Sequence, residues 1–247
     1  MNKMKKLLIL FLVISANISL AQDSVLLRLN YEKGATYGVS MKISQDMGAI
    51  MSMGMTMNMN IKVIDVIEDT YDSEMRFTNI TMDMLQGGNV MSFDSSKSDG
   101  DLDEAGKMMK NQMAPMLKAV VFSKGNNLGE VIEAKVEPNV LGMEDLANQS
   151  SNIVYPEEAI KVGSTWSMSK KQKGMVMDFI YTVKSITKDN VVLDLSGKVS
   201  EMATGTITGS MIIERESGIA IDSQINMDMS INGQELKTKV ATKMAKT

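Results

Sequence analysis

The sequence predicts a mainly β protein: two similar antiparallel β-meanders forming a curved sheet or half-barrel, with an intervening helix packed on it. Three observations predict it. Apolar residues alternate with polar ones at a period of two through most of the chain. Between residues 101 and 122 the apolar spacing changes to three and four. The order of features before that stretch then recurs after it.

The first element is a leader. Residues 1–21, "MNKMKKLLILFLVISANISLA", carry Lys3, Lys5 and Lys6, an apolar run from Leu7 to Ile14 and a small-residue end at Ala21. This is the three-part pattern of a secretory signal peptide. Its apolar run is too short for a membrane anchor. No cysteine follows to take a lipid, and no later segment is long and apolar enough to span. The expectation is cleavage near Ala21, no transmembrane anchor, and a periplasmic or secreted protein of residues 22–247.

Strands come next. Val25, Leu27, Leu29 and Tyr31 alternate with polar neighbours, as do Tyr37, Val39, Met41 and Ile43. A strand, or a bent pair of strands, is expected from about Met51 to Ile67. Another should carry Thr78, Ile80, Met82 and Met84 on one face. Short polar turns, "EDTYD" and "QGGN", separate them. The helix is predicted within Asp101–Phe122, with Leu102, Met108, Met109, Met113, Met116 and Leu117 among its apolar positions. Asp101 and Glu104 are placed as a capping box, and Pro115 should kink or divide the helix near Asn111. A strand pair around Val120–Ser123 and Val131–Lys135 is joined through "KGNNLG". A short helix is expected at Met143–Gln149.

From Tyr155 the strand pattern returns in "TWSMSKK", "MVMDFIYTVKSI", "VVLDLSGKV" and "GTITGSMIIE". The clearest strand follows. Ile219, Ile221, Ile225, Met227, Met229 and Ile231 share one face, and Asp222, Gln224, Asn226 and Asp228 the other, as in an antiparallel sheet covered on one side. A last strand spans Leu236–Lys243. "KGATYGVSMKISQ" matches "VGSTWSMSKKQ" in its order of Gly turn and aromatic strand, and the segments after each also correspond. An internal duplication within one β-rich domain is therefore expected, with a first meander plus helix over 22–135 and a second meander over 155–247.

The chain resembles a family of exported bacterial β-proteins that carry a domain of unknown function. The resemblance rests on "FDSSKSDGD" (Phe93–Asp101), "YPEEAIKVGSTWS" (Tyr155–Ser167), "YTVKSITKDNVVLDLSG" and "GTITGSMIIERESGIA" (Gly205–Ala220). It implies a secreted or periplasmic β-rich domain and no particular activity. More distantly, a curved sheet with a helix on its concave face is similar to the lipoprotein-carrier half-barrels of the periplasm. That is an analogy of fold.

Composition narrows the chemistry. The chain has 26 basic and 30 acidic residues, and losing Lys3, Lys5 and Lys6 takes its net charge from −4 to −7. Nucleic-acid binding is not expected of such a chain, because affinity for phosphate backbones needs Lys and Arg. With no cysteine and no histidine, disulfides, Ser-His-Asp and Cys-His catalysis and imidazole metal sites are absent. Carboxylate pairs remain, with Asp65, Glu68, Asp72, Asp178 and Asp194 as candidates, but these read as turn or wet-face residues. "DSSKSDGDLDE" lacks EF-hand spacing and reads as a linker that caps the helix. "GNNLGE" and "TGTITGS" read as glycine turns that precede no helix, so they hold no phosphate. Trp166 reads as a hydrophobic anchor. The expectation is a protein that is not an enzyme and uses no cofactor.

Methionine is the unusual feature: 26 residues against 4% aromatics. "MSMGMTMNMN" puts Met51, Met53, Met55, Met57 and Met59 on one strand face. The recurrence of alternating methionines on other strands points first to a core. The same lining can form the wall of an apolar, lipid-like ligand site, since thioethers adapt to differently shaped ligands. Its candidate residues are Met53, Met55, Met57, Met82, Met84, Met109, Met113, Met177, Met227 and Met229. The alternative is a soft-cation site for Cu(I) or Ag(I) built from Met51, Met53, Met55, Met57 and Met59. Exposed methionines would also absorb oxidants.

Overall fold

The computed structural model describes residues 23–140, 143, 153–172 and 174–247. The expected leader lies outside these residues. So does the helix expected at Met143–Gln149, apart from Met143 itself, which is helical and buried.

The first part of the chain gives β1 (Ser24–Val25), β2 (Thr36–Asp46), β3 (Met51–Ile67), β4 (Thr70–Gln86) and β5 (Asn89–Asp94). The helix α1 (Glu104–Lys118) follows, then β6 (Val120–Asn126) and β7 (Val131–Glu137). The second part gives β8 (Ile160–Lys161), β9 (Thr165–Gln172), β10 (Met175–Ile186), β11 (Asn190–Glu201), β12 (Thr204–Glu214), β13 (Ala220–Ile231) and β14 (Gln234–Lys246). Twelve strands make one antiparallel sheet in the order β7-β6-β4-β3-β2-β14-β13-β12-β11-β10-β9. The first half of β4 pairs with β6 and its second half with β5. The two meanders thus lie in tandem along one curved, open sheet, joined where β2 pairs with β14.

The likeness of the two meanders is visible in backbone geometry. The Gly34 amide donates to the Val63 carbonyl at 2.9 Å, and the Val63 amide donates to the Ala35 carbonyl at 2.9 Å. In the second meander, the Gly163 amide donates to the Val183 carbonyl at 2.8 Å, and the Val183 amide to the Ser164 carbonyl at 2.9 Å. Both glycines have positive φ, 82° and 86°. Each valine is buried and precedes a one-residue bulge, at Ile64 in β3 and Lys184 in β10. Three residues beyond each glycine stands an aromatic, Tyr37 or Trp166.

Several sequence expectations change. Val25, Leu27 and Leu29 are buried as the alternation implies, yet only Ser24–Val25 forms a strand. The rest is an extended strap across the sheet end, where the Leu29 amide donates to Asn127 and the Asn30 amide to Ser217. Met51–Ile67 is a single 17-residue strand. In β4 a register shift opposite Asn58/Met59 makes Thr78 the extra residue, so Phe77, not Thr78, joins Ile80 inside. "TGTITGS" lies within β12 rather than in a turn. There, a Cβ on Gly209 would sit 2.2 Å from the Gln224 carbonyl oxygen, and one on Gly197 of β11 would sit 2.2 Å from that of Asp178. Glycine admits this close backbone approach where a sheet coils tightly.

The helix starts later than its pattern suggests. Asp103, not Asp101, is the N-cap, its carboxylate accepting from the Gly106 amide at 2.7 Å. The helix runs through Pro115 to Lys118 without division. It packs on β4 and β5. Its Met109 joins Met57, Met59, Phe77, Ile80, Met82 and Phe93 in one apolar cluster. A second cluster fills the other meander around Leu193, Ile207 and Ile213 and takes in Leu27, Leu29 and Tyr155.

Candidate functional site

Between the two clusters the curled sheet encloses a cavity of about 440 Å³. The inward phase of the strands supplies its wall. Along β2 it runs through Val39, Met41, Ile43 and Gln45, and along β14 through Met244, Thr242, Val240 and Thr238. Cross-strand partners continue the rows: Ile43 with Val240 and then Ile225, Gln45 with Thr238 and then Met227. Met57 and Met59 of β3, Met177 and Phe179 of β10 and Met211 of β12 also line it, so both meanders contribute. In a flat sheet β9 and β14 would lie roughly 24 Å apart, at about 4.8 Å per strand. Residues of both border one cavity, which the curl brings about.

The two ends of the cavity differ. At one end lie Leu29, Tyr31, Tyr71, Ile153 and Tyr155. Several polar atoms of the lining there are tied up within the protein. The Tyr155 hydroxyl donates to the Gly218 carbonyl at 2.6 Å, and the hydroxyls of Ser73 and Ser123 pair at 2.9 Å. Tyr31 packs edge-on to Tyr71 with centroids 4.8 Å apart. Burial pushes the phenols of Tyr31 and Tyr155 well above the ordinary tyrosine range. At the other end lie Gln45, Lys170, Gln172 and Thr238. Burial lowers the ammonium pKa of Lys170. The Thr238 hydroxyl is buried without a hydrogen-bond partner, although the residue is only 4% exposed.

Of the methionines singled out in the sequence, Met57, Met177 and Met227 line the cavity, as does Met59. Met82 of β4 and Met109 of the helix itself are buried in the first cluster, with Met53, Met55 and Met113 packed against it. Met84 is half-buried, opposite Met53 on one side and Met91 on the other. Met229 is buried in the second cluster. Met51 stands opposite Gln86 at the strand end. The stretch Met51–Met59 is therefore divided between helix-covered packing and cavity wall. Met57 lies between Met41 and Ile80, and Met59 between Val39 and Phe77.

The candidate carboxylates lie away from the cavity lining. Asp65 and Asp72 are register partners in β3 and β4. The Lys33 ammonium, 2.9 Å away, and the Val66 amide hold the Asp65 carboxyl below its ordinary range. Glu68 occupies the β3–β4 turn with φ 51°. Asp178 accepts from the Ser169 hydroxyl, and Asp194 pairs with Lys184 at 3.1 Å. In "DSSKSDGDLDE", Asp94 accepts from the hydroxyl and amide of Ser96, Asp99 pairs with Lys110 at 2.6 Å, and Asp103 caps α1. Trp166 donates its indole N–H to the Val154 carbonyl at 3.0 Å and stacks on Tyr181.

Sequence reasoning missed Tyr31, Tyr71, Tyr155, Gln45, Lys170 and Thr238 as lining residues. A signal existed for three of them. Gln45, Lys170 and Thr238 each fall on the inward phase of a strand whose other inward members are mostly apolar.

Residues 141–244 match the model of a family of unknown function, DUF6263. No curated protein matches the chain. Among solved structures, one described as "lipid-protein interactions in lipovitellin" aligns with a TM-score of 0.55 at 11% identity, over 88% of this chain and 25% of that one. This chain thus spans a quarter of the lipovitellin chain, and the likeness is one of fold. A putative outer membrane lipoprotein-sorting protein domain from Vibrio parahaemolyticus aligns over 87% of each chain, at 8% identity and a TM-score of 0.25. Among the described residues, no helix is long and apolar enough to cross a membrane.

Proposed function

We propose that this chain is an exported, non-enzymatic protein that holds an apolar, lipid-like molecule within its curled sheet. The observation that carries this reading is the cavity. Its volume of about 440 Å³ lies within the range of roughly 300–1,000 Å³ usual for small-molecule sites. Its wall is mostly Met, Ile, Val, Tyr and Phe, drawn from strands of both meanders. A closely packed core leaves few voids larger than a water molecule, so an apolar space of this size is unusual unless something occupies it. The lipovitellin title names lipid–protein interactions in that protein, and the shared sheet architecture supports the same chemical class of ligand here. Export rests on the signal-like residues 1–21. The adaptable thioethers of Met57, Met59, Met177 and Met227 suit a flexible hydrocarbon chain.

The test is native mass spectrometry of the mature protein from its own envelope fraction, purified without detergent. A bound mass in the lipid range is expected. Met227→Trp combined with Ile225→Trp fills the cavity from β13 and should remove that mass while circular dichroism still reports a β-sheet. A bare polypeptide that also fails to take up a hydrocarbon probe would overturn the proposal.

A further inference from the structure

We infer that the ligand of the cavity is an acyl chain in ester or amide linkage, held with its neutral carbonyl oxygen on the Thr238 hydroxyl. The inference rests on the apolar-ligand reading above and adds where the ligand's polar group sits and what chemistry it has.

The cross-strand rows fix this point. In one row Thr238 of β14 stands between Met227 of β13 and Gln45 of β2. In the next inward row Val240 stands between Ile225 and Ile43. All of these residues border the cavity. The lining therefore changes from a hydroxyl and an amide to hydrocarbon between neighbouring rows. At the aromatic end the hydroxyls call for no ligand. That of Tyr155 donates to the Gly218 carbonyl, and those of Ser73 and Ser123 pair with each other. Lys170, the charged residue of the described lining, is also engaged within the protein.

Thr238 differs from all of these. It is only 4% exposed, and among the described residues its Oγ1 is the buried side-chain polar atom with no hydrogen-bond partner. Leaving a hydroxyl in that condition is costly, and a ligand oxygen that accepts from it removes the cost. The amide of Gln45, its register partner, carries N–H donors for the same oxygen. A bare hydrocarbon would leave the hydroxyl as it is. An anion would have to shed its water among neutral groups, which costs far more than one hydrogen bond returns. A neutral carbonyl suits both rows: its oxygen accepts from Thr238, and its acyl chain continues over Val240, Ile43 and Ile225.

The experiment is displacement of diphenylhexatriene from the delipidated mature protein by dodecane, methyl dodecanoate and N-methyldodecanamide, on the parent and on Thr238→Val. Comparing each ligand with itself across the two proteins removes differences in solubility. The ester or the amide should lose roughly three- to tenfold in affinity on Thr238→Val, the size of one neutral hydrogen bond. Dodecane should bind the variant at least as tightly as the parent. Whichever carbonyl ligand loses more marks the linkage. Thr238→Ser keeps the hydroxyl and should retain most of the carbonyl ligands' affinity. In the parent protein, methyl dodecanoate isotopically labelled at its carbonyl carbon should absorb infrared light at a lower frequency when bound than in hexane. An unshifted band, or an equal change for dodecane and the carbonyl ligands on Thr238→Val, would overturn the carbonyl assignment alone. So would a loss on Thr238→Val confined to the dodecanoate anion. Failure of the parent to take up diphenylhexatriene or dodecane at all would instead overturn the apolar-ligand reading.

Discussion

At the scale of single residues, the informative positions are those that depart from their strand's own pattern. The inward phase of β14 contains Leu236, Thr238, Val240, Thr242 and Met244. A threonine at its most enclosed point, 4% exposed, costs stability when nothing accepts its hydrogen bond. Valine has the same branched shape without the hydroxyl. Thr238→Val is therefore expected to stabilise the ligand-free protein by about 1–3 kcal/mol, read as a shift in the urea midpoint at constant slope. A Thr238→Val protein less stable than the parent would show that the hydroxyl already has a partner. The position was legible in the sequence as a polar residue on an apolar phase. Its isolation was not, because that depends on Gln45, which comes from a strand distant in sequence, as well as on Met227 of the neighbouring hairpin strand.

At the scale of elements, period-two patterning identified the long strands because one face of each is dry, and a one-residue slip would expose that face. Bulges are where this reasoning fails. Phe77 and Ile80 both point inward although three residues apart, because Thr78 is an extra residue against β3. A simple alternation assigns Thr78 to the wrong side. The strap around Leu27 and Leu29 fails differently: its alternation is real, but its partners are loop carbonyls rather than a strand. The helix shows the limit of local signals for a boundary. "DGDLDE" offers several acidic caps, and the choice falls on Asp103 because its carboxylate meets the Gly106 amide at 2.7 Å. Asp101 instead accepts from the exposed Ser98 hydroxyl. Asp103→Ala should then cost about 0.5–2 kcal/mol, and Asp103→Asn, another good cap, much less. Asp101→Ala should stay within about 0.5 kcal/mol of the parent, as for most surface changes. Equilibrium unfolding of the three variants checks this. A larger loss at Asp101 than at Asp103 would restore the cap position that the sequence alone suggested.

At the scale of the whole molecule, the question is what ties the two meanders together beyond the β2–β14 seam. The end of the sheet supplies an answer. The strap donates from Leu29 to Asn127 of the first meander and from Asn30 to Ser217 of the second. The Tyr155 amide donates to Leu128, and its hydroxyl donates to Gly218. Tyr31 sits among Tyr37 and Tyr71 in the same region. This closure could not be read from periodicity, since it is made by aromatic side chains on irregular segments. It carries a pH signature. Burial raises the phenol pKa of Tyr31 and Tyr155 and pushes Tyr181 up to about 12. A phenol raised in the folded state stays protonated there while the unfolded chain loses its proton near pH 10. Its stabilising contribution is thus intact below pH 10 and is lost as pH rises above it. Each such tyrosine removes up to about 1.4 kcal/mol per pH unit, so the three together give a slope approaching roughly 4 kcal/mol per unit. Urea midpoints measured from pH 8 to pH 11 should be nearly level to about pH 10 and then fall steeply, together with tyrosinate absorbance. Tyr155→Phe should make the fall shallower, while costing about 1 kcal/mol at neutral pH through the lost bond to Gly218. Tyrosinate absorbance appearing in the folded protein at pH 10, before any loss of structure, would show that water reaches these phenols and that the end of the sheet is open rather than sealed.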